Sequence, residues 1–527
     1  MYSPFEKFPE YRPFQEEVVE QTTESNKKVV FINGPPGSGK SLIGMSIAYN
    51  FERSLYICTT KPLQVQLSND FPDYPILWGR ANYRCTMSRY TESKFPQITC
   101  EDCLASHDED AQVAFGQGIS CKGRCEYEQA KRNALKANLA ILNTSYFLTE
   151  ANFIGRFSGR DMVIADECDC IEGAILNFVE VNVSDRMLER LSLAPPVYKT
   201  KWESWKEWSE PISGILIKQV TEMVGRMKSK SVLEPKEFRQ LKRLKNLLSK
   251  IEIFKANLDD SWIYQEIGGD KGGVTHSFKP TWISDIARKY FWNHGKKFVL
   301  MSGTPPLPKL LGLEPEEWEW IDVPNQFDPA RRPVYYTGSA NLTQKTMAEE
   351  RPKILPVIQD ILSKYPKQKG LIHTVSYNLC SYILENINSG RLVSHGSGSR
   401  EREILLSRFK ESDLPLVMVS PVMERGIDLP MDYCRFIIIV KVLWPDLSDK
   451  QTSRRLYSSS FGQYWYRWAT VTAIVQASMR GMRSATDQCD TWLLDSQFEN
   501  LYSKNSELFP AWWKESLHIV HQSDFDF

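Results

Sequence analysis

The chain has 527 residues, 42% of them apolar, enough for about three or four domains with real hydrophobic cores. Its 65 Lys plus Arg balance its 65 Asp plus Glu, so no bulk positive field marks a polyanion binder, and any such site must be a local groove. The opening stretch MYSPFEKFPEYRPFQEE lacks an apolar core and no later run is long enough to cross a bilayer, which argues against a secreted or membrane-spanning chain and for a reducing, cytoplasmic or nucleoid-associated setting.

The first strong pattern in chain order is KKVVFINGPPGSGKSLIGMSIAYN, which predicts a short buried strand from Val29 to Ile32, a glycine-rich turn and a helix from Lys40. That is the setting a phosphate-binding loop requires. Gly34, Gly37, Ser38 and Gly39 let backbone N–H groups converge on phosphate oxygens, Lys40 reaches the terminal phosphates, and Ser41 offers a hydroxyl to Mg2+. Five of the 11 cysteines then crowd together as Cys85, Cys100, Cys103, Cys121 and Cys125. In a reducing compartment, clustered thiolates more often hold a metal than each other, and C-x2-C followed by C-x3-C fits a zinc ribbon.

Next comes RDMVIADECDC, which predicts a strand over Met162 to Ala165 with Asp166 and Glu167 where it ends. There Asp166 would hold Mg2+ through water, and Glu167 would position or deprotonate an attacking water. Helical spacing follows at Ile212, Leu216, Val220, Met223 and Met227, and again at Phe238, Leu241, Leu244, Leu248 and Ile251. Arg239, Lys242, Arg243 and Lys245 read as solvated helix surface, and Trp202, Trp205 and Trp208 as packing rather than base-stacking groups. In the last third, PKQKGLIHTVSY, LPLVMVSPVMERGIDLP, CRFIIIVKVLWP and CDTWLLD carry apolar strand runs spaced by helix or loop, the pattern of a parallel α/β sheet. Between the last two, TAIVQASMRGMRSATD placed on a helix sets Gln476, Arg480 and Arg483 at i, i+4 and i+7 on one face, from which arginines can stabilise charge developing on a γ-phosphate.

Taken in order, these segments resemble a superfamily 2 helicase of the XPD/DinG iron-sulfur type. YRPFQEEVV is similar to the family's N-terminal R-x-x-Q segment, GPPGSGKS to motif I and TTKPLQVQL to motif Ia. LWGRANYRC resembles the entry to its cluster domain and CEYEQAKRNALKANLAILNTSYFL the return. DECD occupies motif II, LMSGTPP motif III, GLIHTVSY motif IV, GIDLP motif V and QASMRGMR motif VI. The pattern departs from the family at Asp169, where many members have His, at Cys168 in place of Ala, and at Met479 in place of a motif VI glycine. None of these removes a charged catalytic group.

The resemblance implies two RecA-like parallel-sheet lobes with an ATP site in the cleft. Lobe one would take residues 1–84, 126–180 and 281–330, interrupted by an iron-sulfur insertion at 85–125 and a helical arch-like insertion at 181–280, and lobe two residues 331–527. Four of the five cysteines would hold a [4Fe-4S] cluster, with Cys85, Cys103 and Cys125 matching ligand positions and either Cys100 or Cys121 the surplus. Arg12 and Gln15 would approach the base of ATP, and Asp428 would link nucleotide to nucleic acid. Single-stranded DNA would run near Thr59, Thr60, His373 and Ser420. The expected partners are single-stranded and forked or tailed duplex DNA, served by a monomeric motor with ATP, Mg2+ and the cluster as cofactors. Two other classes fit the residues: an ATPase switch acting on protein or protein–DNA complexes without processive unwinding, and a zinc-bearing nucleic-acid binding module with a vestigial ATPase. The intact Lys40, Asp166, Glu167 and Arg480 argue against the second.

Overall fold

The structure, a computed structural model, describes residues 3–84, 99–100, 125–228, 235–268, 273–396, 398–422, 429, 431–482 and 486–520. Two compact units emerge: Met1–Ile32, Ser41–Met301 and Pro305–Ile321 form one, and Asn33–Lys40, Ser302–Thr304 and Asp322–Phe527 the other. Among the described residues no helix is long and apolar enough to cross a membrane.

In the N-terminal region the strands are β1 (Val29–Asn33), β2 (Ser54–Cys58), β3 (Ile76–Leu77), β4 (Leu139–Asn143), β5 (Arg160–Asp166), β9 (Gly295–Ser302) and β10 (Trp318–Asp322). They form one seven-stranded sheet in the order β10-β1-β9-β5-β2-β4-β3, and β5 pairs in parallel with both β2 and β9. Every residue of β2 is buried, as are four of the five in β1, because helices cover both faces and leave no room for alternation with polar residues. The first of those helices, α1 (Gln15–Glu24), precedes β1; α2 (Lys40–Tyr49) follows the phosphate-binding loop and α3 (Lys61–Asp70) follows β2. Gly44 of α2 lies so close to the sheet that a Cβ there would come within 2.5 Å of Met301 Cε and 2.9 Å of Tyr56 Cε2. Glycine is what lets α2 settle onto the strands that carry the acids.

The C-terminal sheet consists of β11 (Val334–Ala340), β12 (Gly370–His373), β13 (Leu392–Val393), β14 (Val417–Ser420), β15 (Phe436–Ile439), β16 (Asp490–Asp495) and β17 (Leu517–Ile519), in the order β13-β14-β12-β15-β16-β11-β17. All of its pairings are parallel. Successive residues of each strand feed opposite cores: Leu371, Met418 and Ile437 pack on one face with Ile474 and Val475, and Ile372, Val419 and Ile438 on the other with Ile358 and Ile383. The four strands anticipated from apolar runs are β12, β14, β15 and β16. Strand β11 was not anticipated, since PVYYTGSA carries polar and small residues where the others carry Ile and Val.

Between β5 and β9 the chain adds two long helices, α4 (Trp202–Lys228) and α5 (Pro235–Asn257), and an antiparallel three-stranded sheet of β6 (Val181–Ser184), β7 (Trp262–Gly268) and β8 (Val274–Pro280) in the order β6-β8-β7. The helices meet the 3.6-residue pattern, with Ile212, Leu216, Met223, Leu241 and Ile251 all buried. The sheet adds strands to the helices read from the sequence: WIYQEIG and VTHSFKP have alternation too short and too polar to separate from loop. Trp205 is fully buried against Phe278 and His276 and its indole donates to Lys199 O at 2.8 Å, a packing role.

Candidate active site

The glycine-rich loop leaves β1 at Asn33 and is fixed at its start by Gly34 N–H donating to Ser302 O at 2.9 Å. Gly37 and Gly39 have φ of 77° and 76°, a left-handed backbone that glycine adopts without steric cost. At Gly37 a side chain is doubly excluded, because a Cβ would stand 1.9 Å from Cζ of Phe327. The Lys40 ammonium donates to Gly34 O at 2.8 Å and Pro35 O at 3.2 Å, so it lies folded over the loop whose phosphate it is expected to bind. Ser302 also anchors the next segment, its hydroxyl accepting from Thr304 N–H at 3.1 Å. Thr304 in turn accepts from Gln476 Nε2 at 2.8 Å. Three of the sequence-identified segments, GPPGSGKS, LMSGTPP and QASMRGMR, are thus joined by consecutive hydrogen bonds.

The acidic pair sits two strands away from β1 in the sheet, at the end of β5. Asp166 is the last strand residue and is 4% exposed. Its Oδ2 accepts from the Tyr56 hydroxyl at 2.6 Å, and its other oxygen from Glu167 N–H at 2.9 Å. Burial, and then the Asp166 carboxylate, push the Tyr56 hydroxyl well above the ordinary phenol range. Tyr56 therefore stays protonated and keeps donating. Asp166 of the acidic pair is thus held by a buried phenol from the neighbouring strand.

Glu167 has φ of 51°, a left-handed conformation that costs a non-glycine residue energy and concentrates at functional sites. Its Oε2 accepts from Thr59 Oγ1 and Thr60 Oγ1, each at 3.3 Å. Both threonines follow β2 directly, and Thr59 O is itself held by Asn143 Nδ2 at 3.2 Å. Strand β2 and the two residues after it thus supply three hydroxyl contacts to the two acids. Sequence reading missed Tyr56; a phenol in an otherwise aliphatic buried strand, SLYIC, was the available signal.

Arg12 and Gln15 meet as expected of neighbours in one motif, but through the backbone: Gln15 Oε1 accepts from Arg12 N–H at 2.8 Å, and Gln15 is 1% exposed. The placement of Gln476 and Arg480 on one helical face is corrected. The helix ends at Ser478 with Met479 as its C-cap, so Gln476 lies in the last turn and Arg480 stands beyond it, 8% exposed, with its carbonyl accepting from Leu429 N–H at 3.4 Å. Gly481 follows, a weak helix former packed so closely that a Cβ there would stand 2.8 Å from Cys434 O, and the chain leaves the helix before it. Arg483 and Asp428 lie outside the described residues. His373 and Ser420, read as strand-end contacts for nucleic acid, are 1% and 0% exposed, and Ser420 Oγ bonds His395 Nε2 at 2.8 Å. The half-exposed His395 is the group there that reaches solvent.

Of the five clustered cysteines, Cys85, Cys103 and Cys121 lie outside the described residues. Cys100 and Cys125 are buried with their sulfurs 3.9 Å apart. The first is fixed by its N–H donating to Tyr83 O at 2.8 Å; the second caps the helix Glu126–Lys136. Two thiols 25 residues apart in sequence therefore converge at the base of the cysteine-rich segment, a donor set suited to a thiophilic metal.

Comparison with known proteins covers almost the whole chain. Residues 358–516 match the helicase C-terminal domain family. The ATP-dependent DNA helicase XPD of Sulfolobus acidocaldarius is 21% identical over 553 residues, spanning 94% of this chain and 97% of that protein. An XPD helicase structure aligns with a TM-score of 0.64 at 17% identity over 97% of this chain and all of the other. The chain shares the fold of this XPD helicase structure. A second XPD structure, of the apo form, aligns with a TM-score of 0.58 at 16% identity over the same share. The XPD-like fold accounts for two seven-stranded RecA-like sheets in one chain, and for long additions falling inside the first of them.

Proposed function

We propose that this protein is an ATP-dependent DNA helicase that moves 5′ to 3′ along single-stranded DNA and hydrolyses ATP with residues of both lobes. The observation that carries the reading is the acidic pair at the end of β5, with Asp166 held by the Tyr56 hydroxyl and Glu167 by Thr59 and Thr60, in a chain with an XPD-like fold along its length. Gly34, Gly37, Ser38, Gly39 and Lys40 would receive the phosphates, for which Lys40 must exchange its loop carbonyls for phosphate oxygens. Ser41 and Asp166 would hold Mg2+, which when bound neutralises charge on the β- and γ-phosphates. Glu167 would orient the attacking water and take its proton. Gln476 reports on the Thr304 segment, Arg480 and Arg483 would stabilise charge in the transition state, and Asp428 would tie nucleotide to nucleic acid. Arg12 and Gln15 would meet the base.

Four of Cys85, Cys100, Cys103, Cys121 and Cys125 would hold a [4Fe-4S] cluster, which when bound rigidifies the segment so that it can act as a wedge against duplex. A second reading is favoured by one distance: 3.9 Å between Cys100 and Cys125 sulfurs is close to the edge of about 3.8 Å expected when thiolates share one tetrahedral zinc at roughly 2.3 Å. Protein purified without oxygen settles the choice. Broad visible absorption with stoichiometric iron supports the cluster, and a colourless protein with zinc and no iron overturns it.

Strand displacement tests the motor. Duplexes with a 5′ single-stranded tail should be unwound in an ATP-dependent manner and 3′-tailed ones should not; the reverse preference would overturn the direction. Translocation along a single strand without unwinding would favour the alternative of a translocase acting on protein–DNA or R-loop complexes.

A further inference from the structure

The proposed mechanism gives Glu167 the attacking water, yet two hydroxyls hold its carboxylate elsewhere. Thr59 Oγ1 and Thr60 Oγ1 both donate to the same oxygen, Oε2, at 3.3 Å. Two donors on one carboxylate oxygen fix its direction, toward the end of β2. Both threonines are half-exposed, so the same hydroxyls are open to a ligand from solvent. Thr60 is also the N-cap residue of α3, where a threonine ordinarily accepts from a first-turn amide. Here it makes no such side-chain cap bond, and Pro62 occupies the first turn. The hydroxyl is committed to Glu167, and the uncapped helix end beside it favours an anion.

We propose that Thr59 and Thr60 are positioning residues that restrain Glu167, and that a backbone phosphate of single-stranded DNA releases it by taking their hydroxyls. Resting on the helicase reading above, this names how nucleic acid regulates that same site. A phosphate oxygen accepts from Thr59 and Thr60 next to the α3 amides, Glu167 loses both donors, and its carboxylate turns to the attacking water. Asp166 keeps the Tyr56 hydroxyl and the Glu167 amide as donors. Hydrolysis is thereby held low until a strand is bound.

The coupling is reciprocal, which gives two independent readouts. The double variant Thr59→Val/Thr60→Val keeps shape and loses both donors. Its DNA-free ATPase should rise, and its stimulation by oligo(dT) should shrink by a factor of about 5 or more, the usual scale of coupling between sites. The variant Thr59→Ser/Thr60→Ser, which keeps the hydroxyls, should retain the low DNA-free rate. In the converse experiment, Glu167→Asp keeps the charge but withdraws the carboxylate by one methylene. It should bind fluorescent oligo(dT) several-fold more tightly without nucleotide, because the threonines no longer have to be freed. A DNA-free rate that stays flat in the valine variant while stimulation falls, or an unchanged affinity in Glu167→Asp, would make the threonines plain DNA contacts and overturn the restraint. The wild type distinguishes this from failure of the helicase reading itself: if oligo(dT) does not stimulate it at all, the reading falls first.

Discussion

The acids of the first sheet and the arginines of the second are held in different ways. Asp166 ends a buried parallel strand, and hydroxyls of the neighbouring strand meet both acids within three residues of that end. Arg480 stands two residues past the last turn of a helix. Asp166 takes its place from the end of a sheet strand, whereas the buried Arg480 takes its place from the turn after a helix. Under the proposed mechanism the acids would be preorganised around metal and water, and an arginine responding to the γ-phosphate would have to exchange partners.

This contrast is open to attack at several points. The largest effects are expected from its two extremes: Lys40→Ala and Arg480→Ala should each lower DNA-stimulated turnover on the scale of the roughly 10³-fold or greater loss seen when a transition-state arginine is removed. Steady-state phosphate release checks both, and near-normal turnover in Arg480→Ala would remove the second lobe from the mechanism. Tyr56→Phe removes only a hydroxyl behind Asp166, so turnover should fall about 10–100-fold, as for partners that orient metal ligands. Its signature is a raised Mg2+ requirement, and a normal Mg2+ dependence would show that the phenol is a packing group. Gly44→Ala drives a methyl into Met301 and Tyr56, and its overpacking should cost about 1–3 kcal/mol in thermal or denaturant melting. Smallest is Gln476→Ala, which loses one neutral hydrogen bond to Thr304 worth about 1 kcal/mol. A few-fold loss of turnover with a fall of a few degrees at most in melting temperature is expected, and a loss as deep as that of Arg480→Ala would mean that Gln476 touches nucleotide.

What the sequence made legible follows the same divide. VVFIN, MVIAD and the Ile- and Val-rich strands of the second sheet are apolar on both faces, so their positions, and the residues at their ends, were readable from composition alone. Lys40 opens its helix and Asp166 ends its strand as expected. Tyr56 was not identified because its role arises from β2 lying beside β5, a tertiary neighbour that local pattern does not encode. Arg480 was misplaced because a helical period was extended past the apolar run that sustains it. The hairpin strands β7 and β8 were missed because a buried histidine, His276, held by Asp185 and Tyr264 at 3.0 and 2.9 Å, replaces the aliphatic residues that mark a strand.

The central claim is that a strand of DNA governs ATP hydrolysis at the acidic pair. Phosphate release by the purified full chain, titrated with oligo(dT) at saturating ATP and Mg2+, tests it most directly. A low rate without DNA that rises to a plateau with it, and is abolished in Glu167→Gln at every DNA concentration, is the predicted result. Equal turnover with and without DNA, or a DNA-stimulated rate that survives Glu167→Gln, would contradict it.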